Sequence, residues 1–133
     1  SITADIIVGY PTETESTFQE TYDNIKSFGL SSINVFPFSR RENTKAYYLK
    51  PLPNDILKER KMKTIELSNV LEKVFLKKML SEKQKVIFEG KEQNGLFSGY
   101  SEYYIRIYSE CKKNSATIKP TGLFQDGLKG VEE

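Results

Sequence analysis

An apolar run at the start of the chain, from Ile2 to Val8, constrains the fold more than any other segment. The run is followed by Gly9-Tyr10-Pro11, and a short apolar run that ends in this way is typical of a strand buried on both faces. Such a strand needs neighbours on both sides, and parallel neighbours need crossover connections. No strand precedes the run, so we expect the chain to be a piece of a larger α/β domain that has lost an N-terminal partner segment.

The residues that follow predict a helix and a second strand. Thr14 is suited to cap the helix, and Gly29 is suited to end it. An apolar stripe with helical spacing lies between these two residues: Phe18, Tyr22, Ile25 and Phe28. Residues 33–38 are again apolar, and so residues 2–38 are predicted to form a β-α-β unit with two parallel strands. Glu13 and Glu15 are explained by the helix dipole rather than by a paired-carboxylate site.

A polar loop over residues 39–50 precedes a long helix predicted for residues 54–80. The predicted buried stripe of this helix consists of Ile56, Ile65, Val70, Leu71, Val74, Phe75 and Met79. Its other faces are charged, Arg60 among them, with seven basic and four acidic side chains over residues 54–81. Such a pattern is typical of a solvated surface, and a flank that faces phosphates is the alternative.

From about residue 82 the hydrophobic period changes to two. Four short strands are predicted, at residues 85–89, 96–100, 104–108 and 116–119. A fifth is expected near residues 122–124 or at the end, and the tail 126–133 is expected to be half ordered. The fold class is therefore α/β: residues 1–81 form the β-α-β piece with a long linking helix, and residues 82–133 form a small antiparallel β-barrel.

The composition excludes several kinds of chemistry. The chain of 133 residues has no histidine, which removes His-based acid–base catalysis and Ser-His-Asp triads. Cys111 is the one cysteine, so a disulfide framework and a multi-cysteine zinc site are excluded, and we predict no metal ligand and no catalytic residue here. The net charge is +2, and neither a signal peptide nor a membrane-spanning run is visible, so we expect a cytoplasmic protein without a membrane partner.

Several segments together resemble the radical-SAM methylthiotransferases. Residues 5–14 (D-I-I-V-G-Y-P-T-E-T) resemble the family's D-I-I-V-G-F-P-G-E-T segment, and residues 35–44 (V-F-P-F-S-R-R-E-N-T) resemble hV-F-P-Y-S-x-R-x-G-T. Residues 96–107 are similar to the F-x-G-Y-T-x-N-Y-h-x-V run of the C-terminal TRAM domain. Thr12 and Asn43 stand where the family has glycine. The resemblance covers essentially the whole chain and is closest to the branch that modifies threonylcarbamoyladenosine in tRNA.

The resemblance implies a fold and a function for the parent protein. The β-α-β piece would belong to a partial radical-SAM barrel, and the β domain would be a TRAM-like, OB-like barrel. The parent would add a methylthio group at C2 of threonylcarbamoyladenosine in tRNA, using S-adenosylmethionine and two 4Fe–4S clusters. The cluster cysteines, including a Cys-x-x-x-Cys-x-x-Cys motif, are absent from this chain. We therefore expect the chain alone to be inactive, with tRNA and the missing N-terminal part as its partners. The native oligomeric state is open.

The resemblance also implies a cofactor site at the ends of the two parallel strands. The expected S-adenosylmethionine contacts are Ile7, Gly9, Pro11, Val35 and Phe36, and an ordinary strand-to-helix turn is the alternative. Arg40 and Arg41 lie in the loop at the same rim. They are candidates to contact the cofactor carboxylate, the modified adenosine or a tRNA phosphate, and a solvated loop is the alternative.

The β domain carries aromatic and basic side chains that suit RNA, because unstacked bases stack on rings and cations hold phosphates. The candidate RNA-binding residues are Tyr100, Tyr103, Tyr104, Arg106, Lys112 and Lys113. Residues 82–133 hold eight basic and eight acidic side chains, so an RNA-binding surface requires segregated charge, and about half of the tyrosines are expected to point inward. Two alternatives remain open: a free-standing RNA-binding module, and a related methylthiotransferase that acts on a ribosomal protein.

Overall fold

The structure, a computed structural model, describes all 133 residues, which divide into two compact units. One unit contains Ile2–Glu72 and the other contains Lys73–Glu133. Neither of the two longer helices has the length and apolar character that crossing a lipid bilayer requires.

The first unit contains the predicted β-α-β arrangement. Strand β1 (Thr3–Val8), helix α1 (Glu15–Ser27) and strand β2 (Ser32–Pro37) follow one another, and the two strands pair in parallel. Thr14 caps α1 as predicted: its Oγ1 accepts from the Thr17 N–H at 3.1 Å, while the Thr14 N–H donates to Thr17 Oγ1 at 2.8 Å. Gly29 follows the helix with φ +68°, which is the left-handed conformation that commonly ends helices.

The expectation that β1 is buried on both faces is wrong for this chain. The sheet has only two strands, and only one of its faces packs against helices. Ile25, Ile33 and Leu67 form the core on that face. On the other face Ile7 is 62% exposed and Phe36 is 50% exposed. Phe28, the last residue of the predicted α1 stripe, is also exposed.

Helix α2 spans Asn54–Lys78 and is followed by a short 3₁₀ turn at Met79–Ser81. Its predicted stripe is partly confirmed: Leu71, Phe75 and Met79 pack in the cores, whereas Ile65, Val70 and Val74 are exposed. The buried positions include two polar ones, Arg60 and Thr64, which were expected to face solvent or were left out of the stripe. The spacing of apolar residues identifies the buried face of a helix only when that face is apolar. It therefore does not identify the buried face of α2, which contains polar side chains.

The loop that was predicted to be irregular contains a 3₁₀ helix, Lys45–Tyr48. Asn43 precedes it with φ +64°, one of the few non-glycine residues in the left-handed region. Asparagine tolerates this conformation better than most residues, which fits its place where the resembling family has glycine. Thr12, at the other such place, is not in the left-handed region.

The second unit contains a closed five-stranded barrel. Its strands are β3 (Gln84–Gln93), β4 (Leu96–Ser101), β5 (Arg106–Ser109), β6 (Ser115–Phe124) and β7 (Gly127–Glu132). They close in the order β3-β4-β5-β7-β6. All pairs are antiparallel except β5 and β7, which are parallel, so the sheet is mixed rather than wholly antiparallel as expected. The tail expected to be half ordered forms strand β7, which confirms the placement of the fifth strand at the end, and residues 122–124 belong to β6.

Alternating side chains fill the barrel. The fully buried core includes Val86, Ile107, Ile118 and Leu128 from four different strands. Neighbouring strands approach closely where glycine removes the side chain. A Cβ on Gly127 would lie 1.9 Å from the Arg106 carbonyl oxygen, so this position of β7 admits no larger residue without a shift of the backbone.

Candidate functional site

An open cavity of ≈690 Å³ lies beside the exposed face of the β1–β2 sheet. Its lining includes Ile7 and Phe36 from the two strands and Phe38, Ser39 and Arg41 from the loop after β2. The volume lies within the range of sites that hold small molecules and cofactors. Of the expected cofactor contacts, Ile7 and Phe36 therefore meet at one cavity.

The other three expected cofactor contacts do not line this cavity. Val35 packs on the opposite face of the sheet with the Ile33 core, as alternation along a strand requires. Gly9 has φ +85°, and a Cβ there would lie 2.0 Å from Cδ2 of Leu57. Its lack of a side chain is thus explained by the packing of α2. Pro11 lies in the turn between β1 and α1, half-buried.

The two adjacent arginines have different surroundings. The guanidinium of Arg40 donates from Nε to the Tyr47 carbonyl oxygen at 3.1 Å and lies 4.6 Å from the centre of the Tyr47 ring. Arg40 is therefore held by the 3₁₀ helix. Arg41 lines the cavity, and its guanidinium forms no hydrogen bond or ion pair. Of the pair, Arg41 is the one free to meet an anion.

Glu13 and Arg60 form a buried ion pair that the sequence analysis missed. Arg60 Nη1 lies 2.8 Å from Glu13 Oε1, and their side chains are 6% and 12% exposed. The same carboxylate oxygen accepts from the Gly9 N–H at 3.1 Å. The two partners are 47 residues apart, and no local pattern connects them.

The residues present do not fit an iron–sulfur cluster. Cys111, the one cysteine, is buried in the core of the barrel unit. No group of three or more His, Cys, Asp or Glu side chains is placed to hold a metal ion. A cluster needs several thiolates, so its ligands would have to come from other residues of a longer protein.

The outer face of the barrel carries an aromatic and basic surface on β4 and β5. Tyr100 pairs in register with Arg106, and the guanidinium lies 4.9 Å from the centre of the Tyr100 ring. Tyr104 is 85% exposed, and its ring lies 6.2 Å from that of Tyr100. Tyr104 belongs to the β4–β5 turn, with φ +62°, and not to a strand as predicted. The two rings and the guanidinium offer flat surfaces on which bases can stack.

Arg106 is held in place by acidic and hydroxyl partners. Its guanidinium binds Glu89 through two parallel contacts of 2.9 and 3.0 Å, and it donates to Ser98 Oγ at 2.7 Å. The hydrogen bonds that Arg106 donates to Glu89 raise the pKa of the guanidinium, so the group stays charged. The ion pair offsets that charge, a feature that the sequence analysis did not foresee.

The same face includes Tyr108 and continues onto β6 and β7, with residues outside the candidate RNA-binding set. The Tyr108 hydroxyl donates to Asp126 Oδ1 at 2.6 Å, and the Tyr108 ring meets the edge of Phe124 at 5.0 Å. Burial and the hydrogen bond to Asp126 raise the pKa of Tyr108. Lys129 lies 5.6 Å from the centre of the Phe124 ring. The sequence could have predicted the place of Tyr108, because residues 106 and 108 of one strand lie on the same face of the sheet.

The remaining candidate RNA-binding residues divide into inward and outward groups. Tyr103 packs against the barrel core, in keeping with the expectation that some tyrosines point inward. Lys112 and Lys113 are exposed in the turn between β5 and β6. Lys113 pairs with Glu132, which raises the pKa of the lysine and lowers that of the carboxyl. The structure thus places Tyr100, Tyr104 and Arg106 together and separates Tyr103 from them.

Comparison with curated proteins finds methylthiotransferases, whereas no family model matches the chain. A threonylcarbamoyladenosine tRNA methylthiotransferase of Bacillus subtilis is 35% identical over 112 residues, or 80% of this chain and 25% of the relative. A tRNA-2-methylthio-N(6)-dimethylallyladenosine synthase of Aliarcobacter butzleri is 30% identical over 97% of the chain and 31% of the relative. A ribosomal protein uS12 methylthiotransferase of Campylobacter jejuni is 37% identical over 68% of the chain and 21% of the relative. The chain spans about a quarter of the length of these proteins.

Proposed function

Because the chain belongs to the radical-SAM methylthiotransferase family, we propose that it borders the cofactor site and holds the RNA substrate in an enzyme of this family. In this proposal residues 1–81 are the C-terminal part of a radical-SAM barrel with its linking helix, and residues 82–133 are a TRAM-like domain. The whole protein would act in the cytoplasm on threonylcarbamoyladenosine in tRNA. The chain alone would be inactive, because it lacks the cluster cysteines.

The cavity beside the β1–β2 sheet supports the cofactor part of this proposal. S-adenosylmethionine, when bound, would supply the methyl group and the radical chemistry of the family. Its adenosine and methionine parts need an apolar wall and a polar rim, and the cavity combines Ile7 and Phe36 with Ser39 and Thr44. The role of these residues is to bind and orient, because none of them can hold the clusters.

The free guanidinium of Arg41 is the observation that carries the substrate assignment. The threonyl part of threonylcarbamoyladenosine bears a carboxylate, whereas a dimethylallyl group is apolar and uncharged. An arginine without a partner, next to a cavity, is suited to bind a carboxylate through two hydrogen bonds. It would have no partner on a dimethylallyl substrate, and so the charge at this rim favours the threonylcarbamoyl nucleoside.

The barrel supports the RNA part of the proposal. OB folds are five-stranded barrels that bind oligonucleotides on the face of their second and third strands and through the loops beside it. The corresponding strands here are β4 and β5, which carry Tyr100, Arg106 and Tyr108 on their outer face. Aromatic rings interleaved with cations on that face are suited to single-stranded or looped RNA.

Binding of free nucleosides to the chain tests the substrate assignment. We expect threonylcarbamoyladenosine to bind more tightly than dimethylallyladenosine, and we expect Arg41→Ala to weaken the first by about tenfold, as loss of a charged hydrogen bond requires. Lys50→Ala removes one positive charge from the same loop and serves as the control. A preference for dimethylallyladenosine would reverse the substrate assignment. Binding of neither nucleoside would overturn the assignment of Arg41 as the substrate contact.

A further inference from the structure

We propose that Arg60 is a positioning residue for the cavity, acting through Glu13 on the turn that follows β1. The identity of the ligand in this cavity rests on the proposed function. The contacts between Arg60, Glu13 and the turn do not depend on it. Arg60 does not line the cavity. Its effect on the cavity therefore has to pass through other residues, and the structure contains a continuous series of contacts that leads there.

The first step joins α2 to the turn. Arg60 Nη1 donates to Glu13 Oε1 at 2.8 Å and to the Glu13 carbonyl oxygen at 3.3 Å. The same Oε1 accepts from the Gly9 N–H at 3.1 Å. One carboxylate therefore fixes both ends of the turn, at Gly9 and at Glu13, and the guanidinium fixes the carboxylate. The Arg60 guanidinium also lies 5.6 Å from the centre of the Phe18 ring, which holds it against α1.

The second step joins the turn to the cavity wall. The residues on either side of Gly9 both contact Phe38. The Val8 carbonyl oxygen accepts from the Phe38 N–H at 2.8 Å, and the Tyr10 ring meets the Phe38 ring edge-on at 5.2 Å. Phe38 lines the cavity. A shift of the turn would thus move Phe38, and with it the loop that carries Arg41.

Burial distinguishes this pair from the ion pairs at the surface of α2. The side chains of Arg60 and Glu13 are 6% and 12% exposed, whereas those of Lys63 and Glu59 are 47% and 62% exposed. Removal of Arg60 leaves the Glu13 carboxylate charged and desolvated, which displaces the groups around it, whereas removal of Glu13 leaves Arg60 with the exposed Glu15, whose Oε2 lies 3.5 Å from Nη2. The Arg60 Nε is buried without a partner, so this guanidinium carries the cost of one unused donor. A merely stabilising residue at this position would more easily be apolar.

Amide hydrogen exchange in the chain, with Arg60→Met and Glu13→Gln as variants, tests the inference. We expect the Gly9 and Phe38 amides to exchange about tenfold faster in Arg60→Met and several-fold faster in Glu13→Gln, which keeps an acceptor oxygen but no charge. The Ile33 N–H, which donates to Ser68 Oγ at 3.3 Å elsewhere on α2, is the internal reference for global unfolding. Lys63→Met, which breaks the exposed pair with Glu59, is the matched control and is expected to change none of these rates.

Affinity for S-adenosylmethionine is the second readout. We expect both Arg60→Met and Glu13→Gln to weaken it, and Lys63→Met to leave it unchanged. Equal acceleration of the Gly9, Phe38 and Ile33 amides would overturn the inference, because Arg60 would then act on stability alone. Unchanged exchange at Phe38 would overturn it as well. If the wild-type chain binds no S-adenosylmethionine, the proposed function fails at the cofactor, while the exchange rates still decide the role of Arg60.

Discussion

Arg106 and Glu89 form a bidentate ion pair on the outer face of the barrel, with Nη1–Oε1 at 2.9 Å and Nη2–Oε2 at 3.0 Å. The pair fixes the plane of the guanidinium next to the Tyr100 ring, and it offsets the charge that a phosphate would otherwise meet. Arg106 is thus better placed to stack than to attract phosphate as long as Glu89 is present.

Replacement of Glu89 tests this division of roles. We expect Glu89→Gln to strengthen tRNA binding about threefold to tenfold at low salt, and to steepen the dependence of log affinity on log salt by roughly one, because one more cation becomes available to phosphates. Filter binding across a series of salt concentrations measures both quantities. Glu59→Gln makes the same charge change on α2 and is the control. Weaker binding in Glu89→Gln would mean that Glu89 holds Arg106 in its binding position.

Tyr104 and Tyr103 provide a test of stacking against packing. Tyr104 is 85% exposed, so we expect Tyr104→Ala to leave stability within about 0.5 kcal/mol of wild type and to weaken tRNA binding about tenfold. Tyr103 packs against the core, so we expect Tyr103→Ala to lower the free energy of unfolding by about 2 kcal/mol. Urea titration and filter binding measure the two effects. If Tyr104→Ala and Tyr103→Ala lose equal affinity for tRNA after correction for the folded fraction, Tyr104 has no special stacking role.

Gly127 and Gly122 differ in what an added methyl group would meet. We expect Gly127→Ala to destabilise the barrel by about 2 kcal/mol or more, because the new Cβ would lie 1.9 Å from the Arg106 carbonyl oxygen. Nothing lies within 4 Å of a Cβ at Gly122, where we expect Gly122→Ala to be neutral or to stabilise by up to about 1 kcal/mol. Thermal unfolding followed by circular dichroism compares the two. Similar melting temperatures would show that β5 and β7 are not paired as described.

Tyr108 makes the stability of the barrel depend on pH at the alkaline end. Burial and the hydrogen bond to Asp126 raise the pKa of Tyr108 above its ordinary value of 10.0. The protonated, neutral phenol of Tyr108 is therefore favoured in the folded state and contributes stability below pH 10. That contribution to the free energy of unfolding is lost as the pH rises through the folded-state pKa. Titration of tyrosine absorbance should show one late-titrating phenol, which Tyr108→Phe removes. In Asp126→Asn we expect the Tyr108 phenol to titrate at a lower pH than in the wild type. An unchanged titration curve would contradict Asp126 as the hydrogen-bond partner of Tyr108.

Local features of the fold could be predicted from the sequence. The Thr14 cap depends on residues within one helical turn, and Gly29 acts through its own backbone angle. The paired strands of the first unit follow from apolar runs on either side of an amphipathic helix. The barrel strands follow from period-two patterns, although Tyr104 turned out to lie in a turn because its backbone adopts a positive φ.

Features that depend on distant partners were missed. Arg60 was placed on a solvated face of α2, because the sequence does not show that Glu13, 47 residues away, neutralises it. β7 is predicted only as one of two placements of a fifth strand, because its small or charged residues Gly127, Lys129 and Gly130 hide the strand pattern. At the candidate sites, Arg40 and Arg41 were indistinguishable in the sequence. They differ because the carbonyl oxygen and ring of Tyr47 hold Arg40, whereas Arg41 lines the cavity.

The place of β7 has a consequence for how the barrel closes. The fifth strand of the barrel lies between β5 and β6 and forms the one parallel pair with β5. A nascent chain that ends at Phe124 therefore exposes two unpaired strand edges, which are prone to aggregation. β7 is thus the closing strand of the barrel, and its entry covers both edges at once.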